Sequence, residues 1–123
     1  MMNVMRFIQD LSADNRRIIA HCDAILDDPA RRLSSRTFTY IERIQHTARR
    51  AEMMLDLVGE PPEDLLRMLM QDVHDPIKMM DGFVGLILQN ASDELNRDQH
   101  THLHAIDALV TGMVVAVGDV ATR

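Results

Sequence analysis

Three alternating histidines near the C-terminal end are the residues best spaced for metal chemistry. His100, His102 and His104 lie in a stretch that should be helical, where only His100 and His104 share a face. Two imidazole nitrogens at that spacing could supply two ligands to zinc or nickel. No third ligand accompanies them, nor do the Glu-x-x-His pairs of di-iron bundles. We therefore expect no metal site and no cofactor, although the sequence leaves binding by this pair open.

The other reactive side chains do not form a recognisable catalytic set. His74 stands next to Asp75 in an acidic segment, whereas His21 and His46 have no flanking pattern and are interpreted as structural. Cys22 is the single cysteine, which excludes an intrachain disulfide and favours a buried thiol. The sequence has no Ser-His-Asp signature, phosphate-binding loop or cysteine cluster. It thus predicts no enzymatic activity, apart from one alternative given below.

Helices must carry these side chains, because apolar residues recur at heptad spacing along most of the chain, and they do so twice. The first stripe, Phe7, Leu11, Asn15, Ile18, Cys22 and Ile25, is matched 58 positions later by Leu65, Leu69, Val73, Pro76, Met80 and Phe83. The second stripe, Ile41, Ile44, Ala48, Ala51, Leu55 and Val58, is matched 62 positions later by Leu103, Ile106, Val110, Met113, Val117 and Val120. Two helical hairpins in tandem are the simplest interpretation.

Local signals divide the hairpins into four helices. The first helix should run from about 4 to 28 and end at Asp27-Asp28-Pro29, and Ser34 or Ser35 should cap the second. The third should cover about 62–90 with a kink near Pro76, and the fourth about 96–121 with Asn96 as its cap. We predict an all-α, antiparallel four-helix bundle over residues 1–123, with hairpins at 4–58 and 62–121.

Composition and charge exclude several classes of partner. The 123 residues are 46% hydrophobic and 26% charged, which is ordinary for a globular protein of one domain. The net charge is -6, and the acidic excess lies in the second hairpin. No stripe of Lys and Arg with interleaved aromatics is present, so nucleic acid is an unexpected partner. No signal peptide opens the chain and no apolar run has the length of a membrane span, so we expect a cytoplasmic protein without a membrane partner.

The third predicted helix contains a spaced motif. Its residues are Pro76, Ile77, Gly82 and Phe83. In this pattern residues 65–88 resemble the first helix of the dimerisation and phosphoacceptor domain (HisKA-like, DHp) of sensor histidine kinases, where His-Glu/Asp-x-x-x-Pro precedes an aliphatic residue and often Gly-Tyr/Phe. The resemblance places Gln71 where the family carries its phosphorylated histidine, with Asp72 in place of the acidic neighbour.

The resemblance extends over nearly the whole chain. The helices that begin after Leu33-Ser34 and Leu95-Asn96 are similar to the family's second helix, which starts Leu-Ser-x-x-Gln. The opening helix has the outline of the first, with Ala13 at the phosphoacceptor position and Ile18 replacing the proline. The resemblance implies that two hairpins of a dimeric bundle are fused into one polypeptide, so that an intramolecular pair replaces the homodimer.

The resemblance also implies what has been lost. An amide or a methyl group cannot replace the imidazole that attacks and holds a phosphoryl group, and no Gly-rich ATP-binding domain is present. We therefore expect a non-catalytic adaptor or inhibitor in bacterial two-component signalling that binds a response-regulator receiver or a kinase. The residues expected to line the binding surface are Gln71, Asp72, His74, Asp75 and Lys78, with Ala13, Asp14, Arg16 and Arg17 as the pseudo-symmetric set.

Two alternatives and the oligomeric state remain open at this point. His74 lies one helical turn from Gln71 and could be a phosphoacceptor in a shifted register, which would make the chain a histidine phosphotransfer protein. A purely structural bundle is the other alternative. Four matched helices can close a core without a second copy, so we expect a monomer, with a domain-swapped dimer as the other solution.

Overall fold

Four helices account for nearly all of the chain. The computed structural model describes residues 3–29 and 33–123, and all regular structure in them is helical. The elements are α1 (Val4–Leu26), α2 (Ser35–Val58), α3 (Glu63–Asn90), a 3-10 turn (Ser92–Glu94) and α4 (Arg97–Ala121). Each helix packs against the next, and α4 packs against α1, which closes the ring. Because the connections are short, neighbouring helices run antiparallel, and the predicted four-helix bundle is confirmed.

Helices α1, α2 and α4 begin at residues whose side chains accept hydrogen bonds from free backbone amides. Asn3 Oδ1 accepts from the third amide of α1 at 3.0 Å, and Ser34 Oγ accepts from Thr37 N at 3.2 Å. Asn96 and Gln99 form a reciprocal capping box at the start of α4. The sequence predicted Asn96 as one cap and Ser34 or Ser35 as another, and the structure has Ser34, since Ser and Asn are preferred at that position.

Gly59 ends α2, and Pro62 precedes the first residue of α3. Gly59 ends α2 with a φ of 65°, a left-handed backbone conformation that suits glycine. Pro62 is the N-cap of α3, where its missing amide hydrogen is no loss. Helix α3 continues through Pro76 as one element of 28 residues. The proline therefore lies inside the helix, as predicted, and does not end it.

The buried stripe of α3 differs from the predicted one. Val73 and Met80 are buried as expected, but Leu65 is 51% exposed and Leu69 and Phe83 are only partly buried. The buried residues of α3 are Leu66, Met70, Val73, Ile77, Met80, Val84 and Ile87. Leu65 and Leu66, Leu69 and Met70, and Phe83 and Val84 are adjacent apolar pairs, so the sequence pattern alone did not distinguish the predicted stripe from the buried one. The offset of 58 residues predicted for α1 and α3 is therefore wrong.

A single spacing of 62 residues relates the two halves of the core. The buried α1 residues Ile8, Leu11, Asn15, Ile18, Cys22 and Ile25 correspond to the buried α3 residues Met70, Val73, Ile77, Met80, Val84 and Ile87. The buried α2 residues Thr37, Ile41, Ile44, Ala48, Ala51 and Leu55 correspond to the buried α4 residues Gln99, Leu103, Ile106, Val110, Met113 and Val117. Hairpin 1 (α1 and α2) and hairpin 2 (α3 and α4) are thus related by a pseudo-twofold axis along the bundle.

Candidate functional site

The α3 face, defined as Gln71, Asp72, His74, Asp75 and Lys78, is exposed except at His74. Gln71 is exposed, and its side chain also contacts the end of α4. Its Nε2 donates a hydrogen bond to the carbonyl oxygen of Ala121 at 3.1 Å, which satisfies a free carbonyl at the end of α4. Arg67 likewise donates to the Arg123 carbonyl at 3.2 Å. The start of the α3 face is therefore held to the end of α4.

His74 is the half-covered member of the α3 face, with 32% of its side chain exposed. The ring lies beside α4 at Gly118, where a Cβ atom would be 3.8 Å from His74 Nε2. His74 Nδ1 is 4.0 Å from Asp75 Oδ1, and the Asp75 side chain is 95% exposed. A carboxylate so fully in water orients an imidazole only weakly. Asp75 is thus a poor partner for preparing His74 to receive a phosphoryl group.

The α1 set, Ala13, Asp14, Arg16 and Arg17, forms local contacts within hairpin 1. Arg16 Nε is 3.5 Å from Glu52 Oε2 on α2, and Arg17 Nη1 is 3.3 Å from Asp14 Oδ1. Both arginines are exposed, while Ala13 and Asp14 are half-buried. Because α1 and α3 lie diagonally across the bundle axis, the fold does not bring the α1 set and the α3 face together.

The core register changes which residues of α1 correspond to the α3 face. With a spacing of 62, Gln9 and Asp10 match Gln71 and Asp72, and all four side chains are exposed. Ala13 instead matches Asp75, so the predicted pairings of Ala13 with Gln71 and of Ile18 with Pro76 are wrong. The structure therefore places the same dipeptide, Gln-Asp, at equivalent exposed sites on both hairpins. An amide does not have the nucleophilic nitrogen that phosphoryl transfer to a histidine uses, so both sites lack that chemistry.

A pair of histidines that sequence reasoning missed joins the two hairpins. His21 on α1 and His102 on α4 place their Nδ1 atoms 2.9 Å apart, with ring centroids 5.1 Å apart. One neutral ring can donate its N–H to the other, but two protonated rings would repel each other. The pKa of His21 is lowered, first because burial disfavours its charged form and second because His102 adds like charge.

The equivalent place on the other seam between the hairpins carries the rings of a tyrosine and a phenylalanine. Tyr40 on α2 and Phe83 on α3 stand 62 positions from His102 and His21, and their ring centroids are 5.7 Å apart. One seam is thus closed by imidazoles and the other by Tyr and Phe. All four rings are present in the sequence, but only the spacing of 62 residues shows that the two pairs occupy equivalent places.

The two bends meet at one end of the bundle through polar contacts between the hairpins. Glu94 accepts hydrogen bonds from the backbone N–H of Ser34 at 2.6 Å, from its hydroxyl at 3.3 Å and from the Thr37 hydroxyl at 3.1 Å. The backbone hydrogen bond from Ser34 is the main reason why the pKa of Glu94 is lowered. Asn96 also donates to Asp28 Oδ2 at 2.8 Å. The start of α2 is therefore capped partly by a carboxylate from hairpin 2.

The structure offers little support for metal or thiol chemistry. The His100 and His104 rings stack with centroids 6.1 Å apart, and among residues 3–29 and 33–123 no group of three or more His, Cys, Asp or Glu side chains is placed to hold an ion. Cys22 is fully buried, and burial raises its pKa to about 12. A thiol that stays protonated is a weak nucleophile, so Cys22 is a core residue, as predicted.

No family model, curated protein or solved structure matches this chain. By length and composition, α4 is apolar enough to cross a membrane, contrary to the expectation that no apolar run has that length. The buried residues of α4 nevertheless belong to the core of the bundle, and core helices of globular proteins can be equally long and apolar. The interpretation of the surface therefore depends on geometry and chemistry.

Proposed function

We propose that this bundle is a non-catalytic adaptor or inhibitor of two-component signalling, which presents a histidine-kinase-like helical surface to a response-regulator receiver or to a kinase. The observation that supports the proposal most directly is the repeated Gln-Asp dipeptide. Gln9-Asp10 and Gln71-Asp72 occupy equivalent exposed sites, and Pro76 follows Gln71 at the spacing that the kinase motif requires. An amide in place of the imidazole keeps a polar, hydrogen-bonding surface and removes the acceptor of the phosphoryl group.

The arrangement of the helices also supports the proposal. Hairpins 1 and 2 pack around a pseudo-twofold axis, as two subunits of a dimeric kinase bundle would. The α3 face carries the charges of Asp72, Asp75 and Lys78 on a rigid helix, so a partner meets a preorganised surface. Gln71 and Arg67 fix the end of α4 beside this face. We place the protein in the cytoplasm, where receivers and the signalling parts of kinases operate.

The binding experiment compares charge reversals on two parts of the surface. Full-length Asp72→Lys/Asp75→Lys is expected to weaken binding to the cognate receiver or kinase at least tenfold, because a few central contacts carry most of an interface's free energy. Glu42→Lys/Glu60→Lys changes the net charge equally at exposed positions outside the α3 face, and should leave affinity within about threefold. Titration calorimetry against purified receivers and kinases of the same cell measures both. Equal losses in the two variants would indicate a general charge effect and contradict the proposed face.

Phosphoryl transfer is tested separately from binding. Incubated with an active kinase or a phosphorylated receiver, the wild-type chain should acquire no acid-labile phosphate, because neither Gln9 nor Gln71 has an imidazole. Label that forms on the wild type and is absent from His74→Ala would contradict the proposal and establish the phosphotransfer alternative. His46→Ala, at an exposed histidine on α2, is the matched control.

A further inference from the structure

The central core layers are unequal in size on the two hairpins. Near the middle of hairpin 1 the buried residues are Asn15, Ala48 and Ala51. Their equivalents in hairpin 2 are Ile77, Val110 and Met113, all buried. The pseudo-twofold axis places equivalent positions at the same height, facing each other across the core. A half with small side chains therefore meets a half with large ones.

Asn15 adds a polar difference to this difference in size. It is fully buried, and its Nδ2 donates to the carbonyl oxygen of Ala48 at 2.6 Å. Asn15 Oδ1 is also buried and has no hydrogen-bond partner. The equivalent residue is Ile77, whose apolar side chain has no hydrogen-bonding group to satisfy. Two copies of hairpin 1 would bring two such amides into one core, together with the space left by four alanines.

We infer that the two hairpins form a heterotypic pair: the inner face of hairpin 1 is a binding surface specific for hairpin 2, and Asn15, Ala48 and Ala51 make it reject a second copy of itself. Two copies of hairpin 1 would leave voids between the small side chains and would bury two amides where the observed pair buries one. Two copies of hairpin 2 would crowd two sets of Ile, Val and Met into the same layers. Buried polar residues at single core positions are known to determine which helices associate.

The contacts at the bends have the same heterotypic character. Glu94 of hairpin 2 accepts three hydrogen bonds at the start of α2. Negative charge stabilises the N-terminus of a helix and positive charge does not. Polar contacts at the bends and the core thus favour the same pairing.

A double-mutant cycle in the full chain tests the complementarity of size. Met113→Ala should lower the Tm by about 10 °C by leaving a void, and Ala51→Met should lower it by about 5 °C by crowding the core. When the two changes are combined, the large side chain moves to the opposite hairpin, so at least half of the summed loss should be recovered. Ile25→Ala with Leu55→Ala is the control, because these two buried residues lie near opposite ends of the bundle and their losses should add. Simple addition in the Ala51–Met113 cycle would overturn the inference.

A second set of variants tests whether two halves of the same size pair less stably than one small and one large half. Asn15→Ile/Ala48→Val/Ala51→Met makes both central layers large, and Ile77→Asn/Val110→Ala/Met113→Ala makes both small. Each triple variant should melt below the wild type or without cooperativity, and the variant with all six changes, which restores one small and one large half, should melt above both. A triple variant as stable as the wild type, or a six-residue exchange no better than the triples, would contradict the inference. The readout is folding of the chain itself, so failure here leaves the proposed signalling function untouched.

Discussion

At the scale of single residues, the burial of Asn15 and its hydrogen bond to the Ala48 carbonyl make this position intolerant of negative charge. Asn15→Asp would replace the amide that donates to Ala48 with a buried carboxylate facing a carbonyl oxygen. We expect the free energy of unfolding in urea to fall by about 3–5 kcal/mol at pH 7, because a buried charge without a partner is strongly destabilising. Asn3→Asp, at an exposed helix cap where both residues serve equally well, should change it by less than about 0.5 kcal/mol. Similar losses in the two variants would contradict this account.

The His21–His102 contact predicts how stability depends on pH. Because the pKa of His21 is lower in the folded protein than its ordinary value of 6.5, the unfolded chain takes up protons more readily. The free energy of unfolding should therefore decrease as the pH falls below about 6.5. Glu94 acts in a separate window: its lowered pKa stabilises the fold above its ordinary value of 4.5, and this contribution is lost as the pH falls below that value.

The matched variant copies the opposite seam of the bundle. His21→Phe/His102→Tyr installs the residues found at Phe83 and Tyr40, and it should flatten the decrease between pH 7.5 and 5.5 measured by thermal melts. His46→Asn, at an exposed position, should keep the wild-type slope. An unchanged slope in the double variant would show that other groups cause the pH dependence.

At the scale of elements, Pro76 is the residue whose local preference conflicts most with its position. Proline has no N–H to donate to the carbonyl of Asp72, yet α3 continues through it. Pro76→Ala should raise the free energy of unfolding by about 1–3 kcal/mol, measured by urea denaturation. Pro62→Ala, at the N-cap of the same helix, should change it much less, since no hydrogen bond is missing there. A loss of stability in Pro76→Ala would mean that the proline is required by the packing.

The helices were more predictable from the sequence than the surfaces that they expose. Ser34 and Asn96 identified two helix starts because capping depends on a few neighbouring residues. Part of the predicted α3 stripe missed the buried residues by one position, because neighbours such as Leu65 and Leu66 are both apolar and only packing distinguishes them. That displacement hid the correspondence of Gln9 with Gln71. The His21–His102 contact depends on how the hairpins dock, which neither helix encodes alone.

At the scale of the whole molecule, the closed ring of four helices predicts a monomer. Each helix contacts two neighbours, and the core is complete within one chain. Light scattering between about 1 and 100 μM should give the mass of one chain, 14.0 kDa. A domain-swapped dimer would still pair hairpin 1 with hairpin 2, and dilution experiments would distinguish it by slow conversion. A stable dimer that resists dilution would contradict the closed intramolecular core.

The short connector at Gly59 makes the pairing of the two hairpins independent of the protein concentration. A homodimeric bundle is held together by mass action and separates when its subunits are diluted below their dissociation constant. Here a short link between α2 and α3 keeps the two hairpins at an effective concentration in the millimolar range or above. Pairing is therefore independent of how many copies a cell makes. A few molecules per cell would hold the same bundle as thousands, so the number of paired bundles would scale linearly with expression.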